Sequence, residues 1–174
     1  MENGGKKNAA KLTALGGVLL AMTEVCLYLA SFVPGFEMTL YAVSSLLAAV
    51  MMIESRGKGG WLLYGAASLI SLMILPNKLG AVPYIMFFGL YPVLKSYIER
   101  LKNTKLQLAV KFGSFTVLML ILYRLAAGLL FSGTLFENAP FVLLVAGGEV
   151  FFFIYDMILS LLIGYYYRRF YGKI

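Results

Sequence analysis

Apolar stretches of membrane-spanning length follow one another along almost the whole chain. The six stretches are Leu12–Val33, Met38–Ile53, Trp61–Leu75, Ala81–Ile98, Phe112–Ser132 and Phe141–Tyr167. A hydrocarbon core of about 30 Å is crossed by about 20 helical residues. The second and third stretches are shorter, but both are bounded by clear breaks such as Pro34-Gly35 and Pro76-Asn77. The pattern predicts an all-α integral membrane protein in which six transmembrane helices form a single bundle.

The composition agrees with a lipid environment and excludes several classes of function. Of the 174 residues, 61% are hydrophobic and 13% are charged, whereas soluble domains average about 45–50% and about 25%. The six stretches leave 55 residues for all tails and loops, so no soluble catalytic or nucleotide-binding domain is expected. The chain has no histidine and a single cysteine, Cys26, and we expect neither a metal site nor a cofactor.

Basic residues are distributed very unevenly between alternate connections. Thirteen of the 15 lie on one predicted side of the membrane, whereas the opposite loops hold only Lys78. Because cytoplasmic segments are enriched in Lys and Arg, both termini are predicted to be cytoplasmic. Basic tails at residues 1–11 and 168–174 then flank a transmembrane domain at 12–167, and the net charge of +7 does not indicate nucleic acid. The basic connection 99–111 is predicted to be an interfacial helical stretch with its leucines facing lipid.

Four ionisable residues lie deep within predicted helices: Glu24, Arg124, Glu149 and Asp156. Each is a candidate functional residue, because facing lipid would cost about 2.5–3.5 kcal/mol. Counting about 1.5 Å per residue places the first three at similar depth in the outer half of the bilayer, with Asp156 about 10 Å nearer the cytoplasm. We expect them to line an outward-facing cavity; the alternative is that they pair with one another and only set helix packing. Lys95 is excluded, because it is expected to extend to the headgroups.

Aromatic and amide side chains at compatible positions extend this candidate site. Tyr28, Tyr84 and Tyr123 are placed to stack on a flat ligand, although ordinary lipid-facing or core positions are an alternative for each of them. Asn77 is predicted near the mouth of the cavity, together with Lys78 and Asn138. Pro92, one turn after Gly89, is expected to kink the fourth helix.

Small residues form a stripe along the first helix at Ala10, Ala14, Gly17 and Ala21. Such stripes permit close contact between membrane helices. The stripe therefore serves either packing within this protein or docking of another membrane subunit, and the pattern alone leaves both open.

With these features the chain resembles the substrate-binding S components of energy-coupling factor transporters, which take up vitamins and related micronutrients in bacteria. The resemblance rests on size, six spans, cytoplasmic termini, the basic N-terminal tail and the stripe, where the family carries an Ala-x-x-x-Ala docking motif; the similar positions here are Ala10/Ala14 or Gly17/Ala21. It implies a bacterial cell-membrane protein with an outward pocket, a separate transmembrane coupling subunit and two cytosolic ATPases. It does not identify the ligand.

The leading hypothesis is therefore a membrane-embedded binding subunit for uptake of a small polar, vitamin-like nutrient. The alternative is a non-transporting membrane scaffold or assembly partner whose buried charges are structural. An integral-membrane enzyme is disfavoured, because the sequence has no G-x-x-x-x-G-K-[ST], H-E-x-x-H or G-x-S-x-G motif and no nucleophile–base constellation.

Overall fold

Every regular element of the structure, a computed structural model, is a helix within the ranges described. The structure describes the backbone of residues 2–129 and 141–169 and the side chains of residues 9–121 and 145–169. The α-helices are α1 (Glu2–Ala30), α2 (Glu37–Glu54), α3 (Lys58–Ile74), α4 (Leu90–Ile98), α5 (Thr104–Leu129) and α6 (Phe141–Arg169). A 3-10 helix (Lys78–Ala81) and a π-helix (Tyr84–Phe88) lie between α3 and α4. The prediction of an all-α protein is confirmed.

Five described segments are long and apolar enough to cross a membrane. They are Ala9–Ala30, Glu37–Glu54, Lys78–Ile98, Thr104–Ile121 and Val145–Arg169. The third predicted span corresponds to α3, which is apolar but has only 17 residues. At about 1.5 Å per residue α3 is about 26 Å long, slightly less than the hydrocarbon core. The protein is thus a multi-pass membrane protein by the length and composition of its helices.

Two helices, α1 and α5, begin at least eight residues earlier than the apolar stretches indicated. α1 begins at Glu2, so the helix continues through the basic N-terminal segment. α5 begins at Thr104, where the Asn103 side chain accepts the Lys105 N–H at 3.0 Å. Of the predicted interfacial helical stretch 99–111, residues 104–111 are helical and form the first turns of α5, and Leu106 and Leu108 are exposed there. The interfacial position of this stretch stays a prediction. Lys and Gln are good helix formers, so the hydropathy falls there while the helix continues.

The chain forms two compact units, residues 1–97 with 162–174 and residues 98–161. In the first unit α1, α2 and α3 pack against one another, around a core of Leu19, Ala48, Met51 and Leu63. The 3-10 helix packs against α1 and α3, and the π-helix packs against α2 and α3. Residues from several helices therefore surround the segment between α3 and α4.

Within the second unit α5 and α6 are joined by aromatic side chains. The rings of Phe115 and Phe152 stack at 4.5 Å, and Phe112 meets Phe152 edge-on at 5.6 Å. A Cβ at Gly148 would approach the Met119 side chain to 2.5 Å. Glycine at this position therefore allows α6 to approach α5 closely.

The segment between α3 and α4 has an irregular backbone held by specific hydrogen bonds. The Tyr41 hydroxyl donates to the Gly80 carbonyl at 2.7 Å, and the Gly89 N–H closes the π-helix on the Tyr84 carbonyl at 2.7 Å. The irregularity lies at residues 84–89, just before α4, rather than at Pro92 itself. Pro92 falls in the first turn of α4, where its missing N–H costs little. π-helices occur frequently at functional sites.

Candidate binding site

Glu24 carries the most exceptional polar atoms of the first unit. Both of its carboxylate oxygens are buried, and neither has a hydrogen-bond partner among the described residues. On α1 the residues Leu19, Thr23 and Leu27 form the buried face, and Glu24 lies beside it. About 90% or more of buried polar groups in proteins have a partner, so a carboxylate with two unpaired oxygens needs an explanation.

Two hydroxyl groups of the same unit are unpaired in the same way. Tyr84 is completely buried at the start of the π-helix, interacts electrostatically with Glu24, and has a hydroxyl without a partner in the described ranges. The Ser68 hydroxyl of α3 is also buried and unpaired there, next to the Tyr64 hydroxyl. We call Glu24 and Tyr84 the Glu24 cluster; Ser68 lies outside it, beside Tyr64. The members of the cluster come from α1 and the π-helix, which indicates a site built by the fold rather than by one helix.

Neighbouring groups hold the two tyrosines of this region in place. The Tyr64 hydroxyl donates to the Ile85 carbonyl at 2.8 Å, and the rings of Tyr64 and Tyr84 lie 6.4 Å apart. A Cβ at Gly89 would approach both rings to less than 3 Å. The Tyr84 ring is therefore packed against the backbone of Gly89 and has little room to turn.

The second unit contains a charge cluster around the buried Lys111 ammonium, in which the Asp156 side chain is 19% and the Glu99 side chain 42% exposed. The Lys111 ammonium donates to Glu99 Oε1 at 3.0 Å and to both Asp156 oxygens at 3.2 and 3.0 Å. We call these three residues the Lys111 cluster. Asp156 was a predicted ligand contact, and here its carboxylate is held by Lys111 across α5 and α6. The Lys111 ammonium thus connects α5 with α6, and each charged group of the cluster has a partner within the chain.

Glu149, which also lies in the second unit, has one paired and one unpaired carboxylate oxygen. One carboxylate oxygen accepts a hydrogen bond from the Thr116 hydroxyl, while the other is buried and has no partner in the described ranges. Tyr123 and Arg124 belong to α5, but their side chains lie outside the described part of the structure. Asn138 lies outside it as well. The predicted contacts of Arg124, Tyr123 and Glu149 with a ligand stay predictions.

The remaining predicted ligand contacts lie in contrasting surroundings. Tyr28 is 42% exposed, and its ring lies 4.8 Å from that of Phe32 on the surface of α1. The Asn77 side chain accepts the Leu79 N–H at 3.1 Å and so caps the 3-10 helix. The Lys78 ammonium donates to the Met73 carbonyl at 3.0 Å. Asn77 and Lys78 thus stabilise the segment that leads to Tyr84.

Two lysines are buried where the sequence placed them at the membrane surface. Lys95 is 1% exposed, and its ammonium lies 5.9 Å from the centroid of the Tyr91 ring. The expectation that it extends to the headgroups is wrong. Lys111 is buried because α5 starts seven residues before it. The burial of Lys111 could be inferred from the helix-forming residues around it. The burial of the Ser68 hydroxyl could not, since serine is common in apolar helices.

The small-residue stripe lies on the exposed side of α1. Ala10, Ala14, Gly17 and Ala21 are all exposed, and a Cβ at Gly17 would meet no atom within 4 Å. At Gly17 the stripe thus packs against no other helix in the described part of the chain. Docking of a partner on the stripe stays a prediction.

Among the residues described, no group of three or more His, Cys, Asp or Glu side chains is placed to hold a metal ion. No protein family, no curated protein and no solved structure matches the chain. The two clusters and the exposed stripe are therefore the features of this protein that point to a function.

Proposed function

We propose that this protein is a membrane-embedded substrate-binding subunit that takes up a small polar, vitamin-like nutrient in a pocket built around Glu24. The observation that carries the proposal is the buried Glu24 carboxylate, whose oxygens have no partner in the described part of the chain. Burying an unpaired charge is costly, and an apolar side chain of similar volume is often more stable at such a site. A ligand that pairs with the carboxylate explains why glutamate occupies this position.

In this proposal six helices form one bundle that crosses a bacterial cell membrane, α3 being the shortest, and both termini are cytoplasmic. The strong bias of Lys and Arg to one side supports this orientation. It places Glu24 in the outer half of the bilayer, so the pocket opens outward. Asp156 acts with Lys111 as a structural pair.

Uptake requires energy that this chain has no motif to supply. The sequence contains no phosphate-binding loop, so we propose that a separate transmembrane coupling subunit and cytosolic ATPases provide it, as the resemblance to S components implies. The exposed stripe of α1 supports a docking site for the coupling subunit, because small side chains allow a partner helix to approach closely.

The ligand is tested by mass spectrometry of small molecules retained by the purified full chain. We expect the wild type to retain a compound that Glu24→Gln loses, because the amide cannot pair with a charged or strongly donating group. Glu37→Gln is the matched control, since it makes the same change at the start of α2. Equal retention by Glu24→Gln and wild type would place the ligand elsewhere and contradict the proposal.

Docking is tested by capture of ATPase subunits on the tagged chain. Gly17→Leu should reduce capture at least tenfold without unfolding the protein, because an added side chain meets open space within this chain. Gly147→Leu is the matched control, as this glycine of α6 also faces open space. Unchanged capture by Gly17→Leu would show that the stripe does not bind the coupling subunit.

The second candidate function is a non-transporting scaffold, and the Lys111 cluster favours it. In that cluster the charges are satisfied within the chain, as a purely structural role requires. A scaffold would retain no small molecule and would capture no ATPase.

A further inference from the structure

We infer that the ligand presents an ammonium group with N–H donors to the Glu24 cluster. The inference rests on the proposed function in one respect, namely that a ligand occupies this cluster. It adds the chemical class of the group that is recognised.

The charge of the cluster favours a ligand group with a single positive charge. Glu24 is its one carboxylate, while Tyr84 carries a neutral hydroxyl group, and no described side chain forms an ion pair with Glu24. A monovalent cation neutralises the carboxylate. An anionic group would be repelled, and a neutral group would leave a buried charge uncompensated.

The unpaired atoms favour an N–H donor within the class of monovalent cations. They are three oxygens: two from the Glu24 carboxylate and one from the Tyr84 hydroxyl. A primary ammonium has three donors and no acceptor, and it therefore matches carboxylate and hydroxyl oxygens directly. Aromatic rings also attract organic cations within about 6 Å of their centroids, and the rings of Tyr64 and Tyr84 lie beside the unpaired groups.

The surroundings hold these oxygens apart instead of allowing them to pair with one another. Tyr84 is packed against Gly89, and the Tyr64 hydroxyl is bound by the Ile85 carbonyl at 2.8 Å. The Tyr84 hydroxyl is thus not free to swing to a different partner. A preorganised site of this kind loses little conformational freedom when the ligand binds.

The experiment titrates the purified full chain with methylammonium and benzylammonium chloride. Benzyl alcohol has the ring without the charge, and sodium chloride at equal ionic strength has a monovalent cation without N–H donors. Binding is followed by the fluorescence of Trp61, the single tryptophan, whose ring lies 6.1 Å from that of Tyr64. The thermal unfolding midpoint gives a second readout.

We expect saturation by an ammonium probe and by neither control compound. Glu24→Gln should raise the half-saturating concentration at least about 30-fold, since it removes one partner of a buried charged pair. Tyr84→Phe removes one hydrogen bond and should raise it about 2- to 12-fold. Glu37→Gln should change it less than about twofold, because Glu37 lies outside the cluster.

Two results would overturn the inference. One is saturation by an ammonium probe that Glu24→Gln leaves unchanged. The other is saturation by benzyl alcohol or sodium ion with the same dependence on Glu24 as an ammonium probe.

If Glu24→Gln fails to fold, the wild type still provides a test. Dicyclohexylcarbodiimide labels carboxyl groups buried in membrane proteins, and peptide mass spectrometry locates the label. Benzylammonium should protect Glu24 from labelling, whereas benzyl alcohol should not. Labelling of Glu24 that benzylammonium does not slow overturns the inference.

Capture of ATPase subunits separates this inference from the transport proposal. Capture without ammonium binding overturns the ammonium inference and leaves uptake of another ligand in place. Ammonium binding without capture supports the inference and contradicts transport.

Discussion

Each unit contains a carboxylate on an apolar helix, Glu24 in the first and Asp156 in the second, but the two differ in what surrounds them. In the Lys111 cluster, an ammonium from the same chain lies between Glu99 and Asp156 at 3.0 Å from each. In the Glu24 cluster, a carboxylate and a hydroxyl are buried without partners in the described part of the chain. The difference teaches that depth alone does not separate a structural charge from a binding charge. What separates them is whether the chain itself supplies the counter-ion.

The largest expected effect on stability comes from removing Lys111, the counter-ion of the second unit. Lys111→Met should lower the free energy of unfolding by about 3–5 kcal/mol, because it removes the buried ammonium that Asp156 and Glu99 both contact. The double variant Lys111→Met/Asp156→Leu should recover much of that loss. The measurement is thermal or denaturant unfolding in detergent.

Lys105→Met is the matched control, because Lys105 is an exposed lysine of the same helix. It should change the stability by less than about 0.5 kcal/mol. A Lys111→Met variant as stable as Lys105→Met would contradict a structural role for the Lys111 cluster.

The same apolar substitution in the two clusters should have opposite signs. Glu24→Leu should raise the free energy of unfolding of the ligand-free protein by about 1–4 kcal/mol, because a buried charge is replaced by a packed side chain. Asp156→Leu alone should lower it, since the buried Lys111 ammonium loses a partner. Unfolding curves of the two single variants, recorded without ligand, make the comparison. A loss of stability in both would mean that Glu24 is also satisfied within the chain.

A smaller effect should follow from disturbing the position of Tyr84. Gly89→Ala places a methyl group against the rings of Tyr84 and Tyr64, and overpacking of this kind costs about 1–3 kcal/mol. It should also weaken ligand retention, because the ring must move. Gly65→Ala, whose added methyl meets open space, is the control for stability and for retention. If the two alanine variants behave alike, Tyr84 is not held by Gly89.

Much of this fold could be predicted from hydropathy because lipid leaves few alternatives to an apolar helix. Hydropathy cannot detect where a helix continues through polar residues, and for that reason the start of α5 and the burial of Lys111 were missed. Glu24 and Tyr84 could be chosen in advance, since a charge or a large aromatic at membrane depth is visible in the sequence. Ser68 could not, because its role depends on what α3 packs against.

The pairing of Asp156 with Lys111 also could not be predicted from the sequence. Counting residues from helix ends gave its depth, but the choice between ligand contact and ion pair depends on the register between α5 and α6. That register is set by stacking of Phe115 on Phe152 and by the close approach at Gly148. Side-chain packing of this kind has no signature in a single sequence.

The π-helix makes the site sensitive to the length of the chain. A π-turn is equivalent to an α-helix with one inserted residue, and each helical residue turns the chain by about 100°. Deleting one residue from Tyr84–Phe88 would restore a regular α-helix and would turn Tyr84 away from Glu24 while α4 kept its place. A homologue one residue shorter in this segment would therefore keep the same spans and pack in the same way, but it would lack the buried phenol. Among relatives, ligand selectivity at this site is expected to follow insertions and deletions as much as substitutions.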